Sequence, residues 1–185
     1  MTDTYLHQGQ HFGIRELPAS SHDKVAEWMS RDEYELFMTS AGLKMPVTTE
    51  KFDAYRNASN ESNGGHKFYA FHWLESGDHV GHFELKAISS EYRNATLAHV
   101  LLGAQELRGL GYGAELVRLM VDYSFSELGL YRLGASVHTC NATAITAYLK
   151  GGFVVEGLIR DVLEYKESRY SLYQMSILRH EWQSQ

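Results

Sequence analysis

Three glycines at alternate positions, Gly109, Gly111 and Gly113, stand in the run Gln105-Glu106-Leu107-Arg108-Gly109-Leu110-Gly111-Tyr112-Gly113-Ala114, between an apolar stretch and one with helical periodicity. Glycine lets the backbone approach a ligand closely, and the first amides of a following helix have no intrahelical partner. Such a turn is an anion cradle: the helix start offers N–H groups and about half a positive charge, to which Arg108 adds a full one. A pyrophosphate would suit it. Elsewhere the residues with chemical potential are a tyrosine in a helical stripe, Tyr148, and several histidines and acids: His82, Glu84, His99, His138 and the cluster Asp32, Glu33 and Glu35. The acidic cluster can attract a cation or merely favour the start of a helix.

Other chemistries fit the same residues less well. Gly109, Gly111 and Ala114 satisfy G-x-G-x-x-G/A, the dinucleotide fingerprint. That fingerprint wants its glycines directly after the strand and an acid at the end of the next one. Here Ala104 to Arg108 intervenes, the next strand ends Val137-His138-Thr139, and no second parallel unit follows. The phosphate loop G-x-x-x-x-G-K-S/T is absent. His79 and His82 form the one close histidine pair in the strand segments, and a spacing of three points them to opposite faces, which argues against zinc.

The elements that must position these groups follow from periodicity. His11–Leu17 alternates ahead of Pro18 and is expected as a strand; Ser20 and Ser21 can cap a helix that buries Val25, Ala26, Trp28 and Met29. Asp32–Met38 reads as a short helix, Ala41–Val47 as a loop broken by Gly42 and Pro46, and Thr49–Asn57 as a further helix. Asn60–Gly65 is turn chemistry, after which the period becomes that of strands: His66–Leu74, then His79–Ile88 beyond the tight turn Ser76-Gly77-Asp78. In the second of these, His82, Glu84 and Lys86 share one face, opposite Gly81, Phe83, Leu85 and Ala87. Ala95–Gly103 is apolar enough for a central strand and leads into the glycine loop. Leu116, Val117, Met120, Val121, Ser124, Phe125 and Leu128 then make a long amphipathic helix ended by Gly129. Tyr131–His138 is a strand, Asn141 an N-cap, and Ala144, Ile145, Tyr148 and Leu149 a helix stripe that stops at Gly151-Gly152. Phe153–Leu163 and Ser171–Leu178 close the chain as paired strands around Tyr165–Arg169. Antiparallel strands thus come first, a single strand-helix-strand unit next, and a helix and hairpin last.

Composition sets the frame. A chain of 185 residues with only two prolines and no repeat or linker is expected to form one domain over 1–185, with its core in 11–180. A formal charge of -6 argues against nucleic acid, which requires a concentrated basic surface, and suits a cationic substrate. The single cysteine, Cys140, excludes an intrachain disulfide and a cysteine-based zinc cluster, so a reducing compartment, the cytoplasm, is expected. Met1–Gln10 is polar and no apolar run approaches the roughly 18 residues of a membrane span, so no membrane partner is expected.

Arg108-Gly-Leu-Gly111-Tyr-Gly113 resembles the Gln/Arg-x-x-Gly-x-Gly/Ala motif of the GNAT superfamily of acyl-CoA-dependent N-acetyltransferases. The run from Asn141 through Ala144, Ile145, Tyr148, Gly152 and Phe153 to Glu156 and Gly157 is similar to that family's N-x-x-A-I-x-x-Y-x-x-x-G-F-x-x-E-G segment. Two motifs in the right order are far more specific than either alone. More loosely, Ile14-Arg15-Glu16-Leu17, Trp28 and the Met45-Pro46 loop resemble the branch of ribosomal-protein and spermidine acetyltransferases. The resemblance implies an α/β (α+β) fold whose mixed, mostly antiparallel sheet of about six to seven strands is flanked by helices.

It also implies roles. Acetyl-CoA would be the cosubstrate, with no metal. The pantetheine arm would be bound, and the thioester carbonyl polarised, by backbone groups at Leu101, Leu102 and Gly103. The amides of Arg108, Gly109, Leu110, Gly111, Tyr112 and Gly113 would hold the pyrophosphate, Asn141 would contact the cofactor, and Tyr148 would reach the sulfur as general acid. Spacing alone gives Asn141 only as a cap and Tyr148 only as part of a helix stripe. Reference pKa values near 10 for tyrosine and 8.5 for a thiol make outright proton donation uphill by about 2 kcal/mol, so a hydrogen bond to the developing thiolate is the more economical role.

Acetyl transfer needs a neutral amine, yet with a pKa near 10.4 only on the order of one alkylamine molecule in a thousand is neutral at pH 7. A base or water relay is therefore expected; Glu84 is the first candidate, ahead of His82, His99 and His138. The reading is direct acetyl transfer to a primary amine, either a small molecule or a peptide N-terminus as in protein N-terminal acetyltransferases. A non-catalytic, acyl-CoA-binding regulatory domain is the alternative from another class. A homodimer is left open.

Overall fold

The computed structural model describes residues 4–39, 43–61 and 65–183. Among them, β1 (His7–Gln8), β2 (Phe12–Glu16), β3 (Lys67–Trp73), β4 (His79–Ser89), β5 (Asn94–Leu102), β6 (Arg132–His138), β7 (Val154–Tyr165) and β8 (Ser168–Leu178) form one sheet in the order β1-β2-β3-β4-β5-β6-β8-β7. Every pairing is antiparallel except β5 with β6. A parallel pair needs a crossover, which the intervening helix supplies. The helices are α1 (His22–Met29), α2 (Glu33–Thr39), α3 (Thr49–Glu61), α4 (Gly113–Ser126), α5 (Ala142–Lys150) and α6 (Arg179–Trp182).

The expected order of elements is the order observed. The sheet has one strand more than the upper expectation, because a two-residue β1 pairs with Gly13 and Ile14 and is too short to show an alternating pattern. α3 runs on to Glu61, and the closing hairpin turns at Lys166 and Glu167, both at positive φ, so its strands reach Tyr165 and Ser168 where a longer connection was expected. α6 was not anticipated. The expected breaker Gly42 and Ser62-Asn63-Gly64 of the turn segment lie outside the described residues, as does the start of the polar N-terminus, Met1-Thr2-Asp3.

Strand alternation divides the core in two. Tyr69 and Phe71 of β3 pack with Phe83, Leu85, Leu97 and Leu133 beneath α4, whose Leu116, Met120 and Phe125 are buried against them. Phe68 and Ala70, on the other face of β3, pack with Val25, Trp28 and Met29 of α1 and Phe52 of α3. β5 belongs to both layers, since Ala95 and Leu97 face α4 whereas Leu101 faces α1 and α3. Residues of equal parity stay on one face of a regular strand, so a one-residue irregularity must lie between Leu97 and Leu101. It does: the β4 register jumps from Glu84↔Ala98 to His82↔Leu101, and His99 within the jump has φ +48°.

Candidate active site

β5 and β6 stay paired from Asn94↔Arg132 only as far as Leu97↔Ala135. β5 then continues with β4 to Leu102↔Gly81, and β6 with β8 to His138↔Leu172. Each strand follows its outer neighbour, and the two part. The parting opens a cleft of about 850 Å³ that runs through the sheet from the glycine loop and α5 on one face to α2 on the other.

On the first face, Gly109 and Gly111 have φ of +77° and +89°, and nothing lies within 4 Å of where their Cβ atoms would be. They are required for backbone conformation, not for space. No side chain caps α4, and its first backward bond is Leu116 N–H to Tyr112 O. The amides of Gly113, Ala114 and Glu115 are thus left for a ligand. α5 is the contrast: Asn141 Oδ1 accepts from Ala144 N at 3.0 Å, a conventional cap. Tyr148, on the inner stripe of α5, lines the cleft, is 7% exposed and meets Phe153 edge-on at 5.0 Å. Its hydroxyl has no hydrogen-bond partner among the described residues, and burial pushes its pKa up.

Arg108 behaves differently from the simple cradle. Its Nε donates to Leu102 O at 2.7 Å, and Nη2 lies 2.8 Å from Glu35 Oε1, close enough for an ion pair but off the hydrogen-bond direction. The guanidinium therefore ties the end of β5 to α2 instead of lying out over the glycine loop. Gly103 is also committed. Its N–H donates to Val80 O, its carbonyl accepts from Arg31 Nη1 at 2.7 Å, and a Cβ there would fall 2.0 Å from the Trp28 ring. It faces a separate cavity of about 590 Å³ beside Trp28. Leu110 is 63% exposed on the loop's outer side. The other residues expected to hold a cofactor, Leu101, Leu102, Arg108, Gly109, Gly111, Tyr112, Gly113, Asn141 and Tyr148, all line the one cleft.

On the α2 face the cleft is bounded by Asp32, Tyr34, Glu35, Met38, His138 and Cys140. The acidic cluster is largely committed. Glu33 pairs with Lys166 at 2.8 Å and accepts from the Tyr165 hydroxyl, Glu35 faces Arg108, and Asp32 caps the Glu35 amide at 2.7 Å. Phe37 stacks on Tyr165 at 4.7 Å and meets Tyr170 and His138 edge-on, so the closing hairpin folds over α2 and walls this end. His138 is 7% exposed, its Nδ1 has no hydrogen-bond partner among the described residues, and burial lowers its pKa.

Glu84, expected as the base, does not line the cleft. It is 0% exposed, and its carboxylate is enclosed by donors. Oε1 faces His99 Nδ1 at 2.8 Å and His82 Nε2 at 3.2 Å; Oε2 accepts from the Tyr55 hydroxyl at 2.7 Å and faces His66 Nε2 at 2.6 Å. Lys86 Nζ lies 3.8 Å from Oε2. Burial works to raise its pKa, but the hydrogen bonds from His66, His82 and His99 outweigh it and hold the group well below the usual carboxylate range. A carboxylate so held is a weak base. Tyr55, His66 and Lys86 were not singled out from sequence. Only the shared parity of His82, Glu84 and Lys86 pointed toward them.

The profile of the acetyltransferase (GNAT) domain matches residues 11–154. The chain belongs to the GNAT acetyltransferase family. It is similar to the uncharacterized N-acetyltransferase YoaA of Bacillus subtilis (strain 168), 30% identical over 54% of this chain and 55% of that one. It is also similar to the spermidine N(1)-acetyltransferase of Escherichia coli (strain K12), 30% identical over 57% and 56%. The chain thus spans little over half the length of these two curated relatives. YdaF of B. subtilis, provisionally named a ribosomal N-acetyltransferase, is 27% identical over 95% of this chain and 96% of its own. Among solved structures, the spermidine N-acetyltransferase of Vibrio cholerae, in complex with CoA and spermine, superposes with a TM-score of 0.80 at 19% identity, covering 95% of this chain and 99% of that one. At that identity the likeness concerns the fold alone.

The GNAT frame accounts for the geometry. The uncapped start of α4, the positive-φ glycines and the parted strands lie along one cleft, with Tyr148 on its wall. The donor set suits a phosphate-bearing thioester: backbone N–H groups for the anion, strand groups freed by the parting for the arm, and a tyrosine hydroxyl without a competing partner. Among the described residues no cluster of histidine, cysteine or acid is arranged to hold a metal ion. No helix there is long and apolar enough to cross a membrane.

Proposed function

We propose that this GNAT protein transfers an acetyl group from acetyl-CoA directly to a primary amine on a small cationic molecule. The observation that carries this reading is the continuity of the cleft through the sheet. An anion site opens on one face and a mouth bounded by Asp32 and Glu35 on the other, with the parted strands between. Two substrates approaching from opposite faces meet at Leu101 and Leu102 without a covalent enzyme intermediate. The likeness in sequence to the spermidine N(1)-acetyltransferase of Escherichia coli favours a small polyamine-like acceptor over other amines. The near full-length match to YdaF keeps a peptide N-terminus as the second reading.

Acetyl-CoA, when bound, supplies an activated acetyl thioester whose sulfur departs as a thiolate. The chain's residues do the rest. Backbone amides at Gly109–Gly113 and the start of α4 hold the pyrophosphate and fix the register of the arm. Groups at Leu101 and Leu102 orient the carbonyl. Tyr148 presents its hydroxyl toward the sulfur, and Asn141 fixes the first turn of α5 and thereby the direction of Tyr148. Glu84 acts from inside the sheet, through a neighbour.

Thermal shift with acetyl-CoA and with NAD, followed by thiol release from acetyl-CoA against polyamines, amino sugars, aminoglycosides and N-terminal peptides, tests the reading. Stabilisation by acetyl-CoA alone and thiol release with a polyamine are expected. Release with peptides only would select the second reading. Binding without release on any acceptor would select a regulatory acyl-CoA-binding domain, and stabilisation by NAD would overturn the assignment.

A further inference from the structure

If the chain transfers acetyl groups to an amine, as proposed above, some group must take the ammonium proton, and we infer that His99 takes it at Nε2, with Glu84 as its positioning residue. His99 lines the cleft on the face of α2, between Leu97 and Leu101, whereas Glu84 does not reach it. The imidazole Nδ1 lies 2.8 Å from Glu84 Oε1. An ionised carboxylate accepts only, so the hydrogen sits on Nδ1 and the lone pair is fixed on Nε2. Glu84 is itself held from every other side, by the Tyr55 hydroxyl and by His66 and His82, whose own Nδ1 is anchored on Tyr69 O at 2.9 Å. The ring of His99 therefore has one tautomer and one direction.

The backbone makes the same point. An odd-numbered residue of β5 in regular register would face α4 with Ala95 and Leu97. The bulge re-aims His99 toward Glu84 and Tyr55, at a left-handed φ of +48°. A non-glycine residue is strained there, and such strain persists where the surroundings over-determine it, above all at active sites.

Nε2 already faces an ammonium donor from its own chain. Lys86 Nζ lies 3.3 Å from His99 Nε2, on a side chain one-third exposed. The acceptor ammonium replaces Lys86 at Nε2, and because Lys86 does not line the cleft its side chain must swing outward for this to happen. R–NH3⁺ gives one proton to Nε2; the nitrogen lone pair bonds to the acetyl carbon as the C–S bond breaks. The surplus proton on nitrogen passes to the departing sulfur, which the Tyr148 hydroxyl steadies by a hydrogen bond, and the imidazolium, held by Glu84, returns its proton to solvent. The charged and titratable groups around the ring are Glu84, Lys86 and His82 from β4, Tyr55 from α3, and His138 across the cleft. On α2, Glu35 is turned to Arg108, Glu33 to Lys166, and Asp32 caps the Glu35 amide. Burial and the Lys86 charge lower the His99 pKa from 6.5 and Glu84 raises it, so the ring is neutral and competent at pH 7.

Nitrogen-15 NMR of the imidazoles, with and without acetyl-CoA, tests this apart from turnover. At pH 7 a neutral His99 with hydrogen on Nδ1 is expected, titrating below pH 6.5. A ring with hydrogen on Nε2, or a charged one, would overturn the assignment. With spermidine as probe acceptor, His99→Gln should cut kcat by about 10²-fold or more with acetyl-CoA affinity unchanged. The acid limb of kcat/KM should move to higher pH in Lys86→Met, which removes a repelling cation, and to lower pH in Glu84→Gln, which removes the stabilising anion. A cluster that merely packs the sheet would move neither limb, and that result refutes the role. If the wild type binds acetyl-CoA but releases no thiol with spermidine, the acceptor reading has failed, while the tautomer and the variant-induced shifts of the His99 titration still decide for or against His99.

Discussion

Tyr148→Phe isolates one hydroxyl. The ring keeps its edge contact with Phe153 at 5.0 Å and its burial, so packing is conserved. Because burial raises the tyrosine pKa, the proton is held more tightly than in water, and the hydroxyl acts as a hydrogen-bond donor to the developing thiolate in preference to a full acid. A hydrogen bond to a charged partner contributes about 1.5–3 kcal/mol net, and each 1.36 kcal/mol is tenfold in rate, so kcat should fall roughly 10- to 150-fold. The ground-state thioester sulfur is a weak acceptor, so the acetyl-CoA dissociation constant should change by less than about twofold. Folding should be unharmed: the hydroxyl has no partner among the described residues, so its removal breaks no hydrogen bond within the fold. Thiol release measures kcat, calorimetric titration the affinity, and urea denaturation the stability. Equal loss of turnover and affinity would place Tyr148 in cofactor binding only. No loss of either would remove it from the reaction.

Three further outcomes follow from the same geometry. Gly103→Ala drives a methyl to 2.0 Å from the Trp28 ring, and overpacking of this kind costs about 1–3 kcal/mol, readable as a lower urea midpoint at unchanged slope. Gly109→Ala and Gly111→Ala meet no neighbour but force left-handed φ on alanine, so each should cost about 1–2 kcal/mol, seen chiefly as weaker acetyl-CoA binding as the loop relaxes away from its anion-holding shape. His79 is buried and donates Nε2–H to Gly81 O, and burial lowers its pKa to about 4 from 6.5. The folded state therefore binds fewer protons between those values, and the stability involved is complete above pH 6.5 and lost as pH falls toward 4, up to about 3 kcal/mol at 1.36 kcal/mol per unit. In His79→Phe the difference in Tm between pH 7 and pH 5 should shrink; an unchanged difference would assign the acid sensitivity elsewhere.

The glycine-loop half of the cleft was legible because its determinants are local. A glycine loop, an uncapped helix start and the cap-to-tyrosine spacing of Asn141 and Tyr148 are written in consecutive residues, and the fold needs only the β5-α4-β6 crossover to assemble them. Arg108 departs from that reading because its partner, Glu35, lies on a helix 73 positions away, and no periodicity reports such a pairing. The same holds for Glu33 with Tyr165 and Lys166, which lets the hairpin close over α2. Glu84 was found by type and parity, but its enclosure was not. Tyr55 of α3, His66 just ahead of β3 and His99 of β5 reach it from separate parts of the chain, and burial of a carboxylate is legible only when its donors are known.

His99 shows the limit most sharply. Period-two reasoning assigns each strand residue a face, and by that rule His99 belongs with Ala95 and Leu97 under α4, away from any acid. A bulge adds one residue to one strand, and nothing in Ala98-His99-Val100 announces it: there is no glycine to take the positive φ, and a non-glycine residue at +48° is disfavoured in isolation. The bulge exists because two sets of constraints meet there. Up to Leu97, β5 is held between β4 and β6 and buries its odd residues beneath α4; beyond it, pairing with β6 is lost and Leu101 packs under α1 and α3. The change of face and the parting of the strands therefore occur together. It follows that restoring regular register, by deleting Val100, should turn His99 out of the Glu84 network and shift the parity of Leu101 and Leu102 as well. Both the placement of His99 and this wall of the cleft would go, while the β5–β6 pairs up to Leu97↔Ala135 would survive as protected amides in hydrogen exchange.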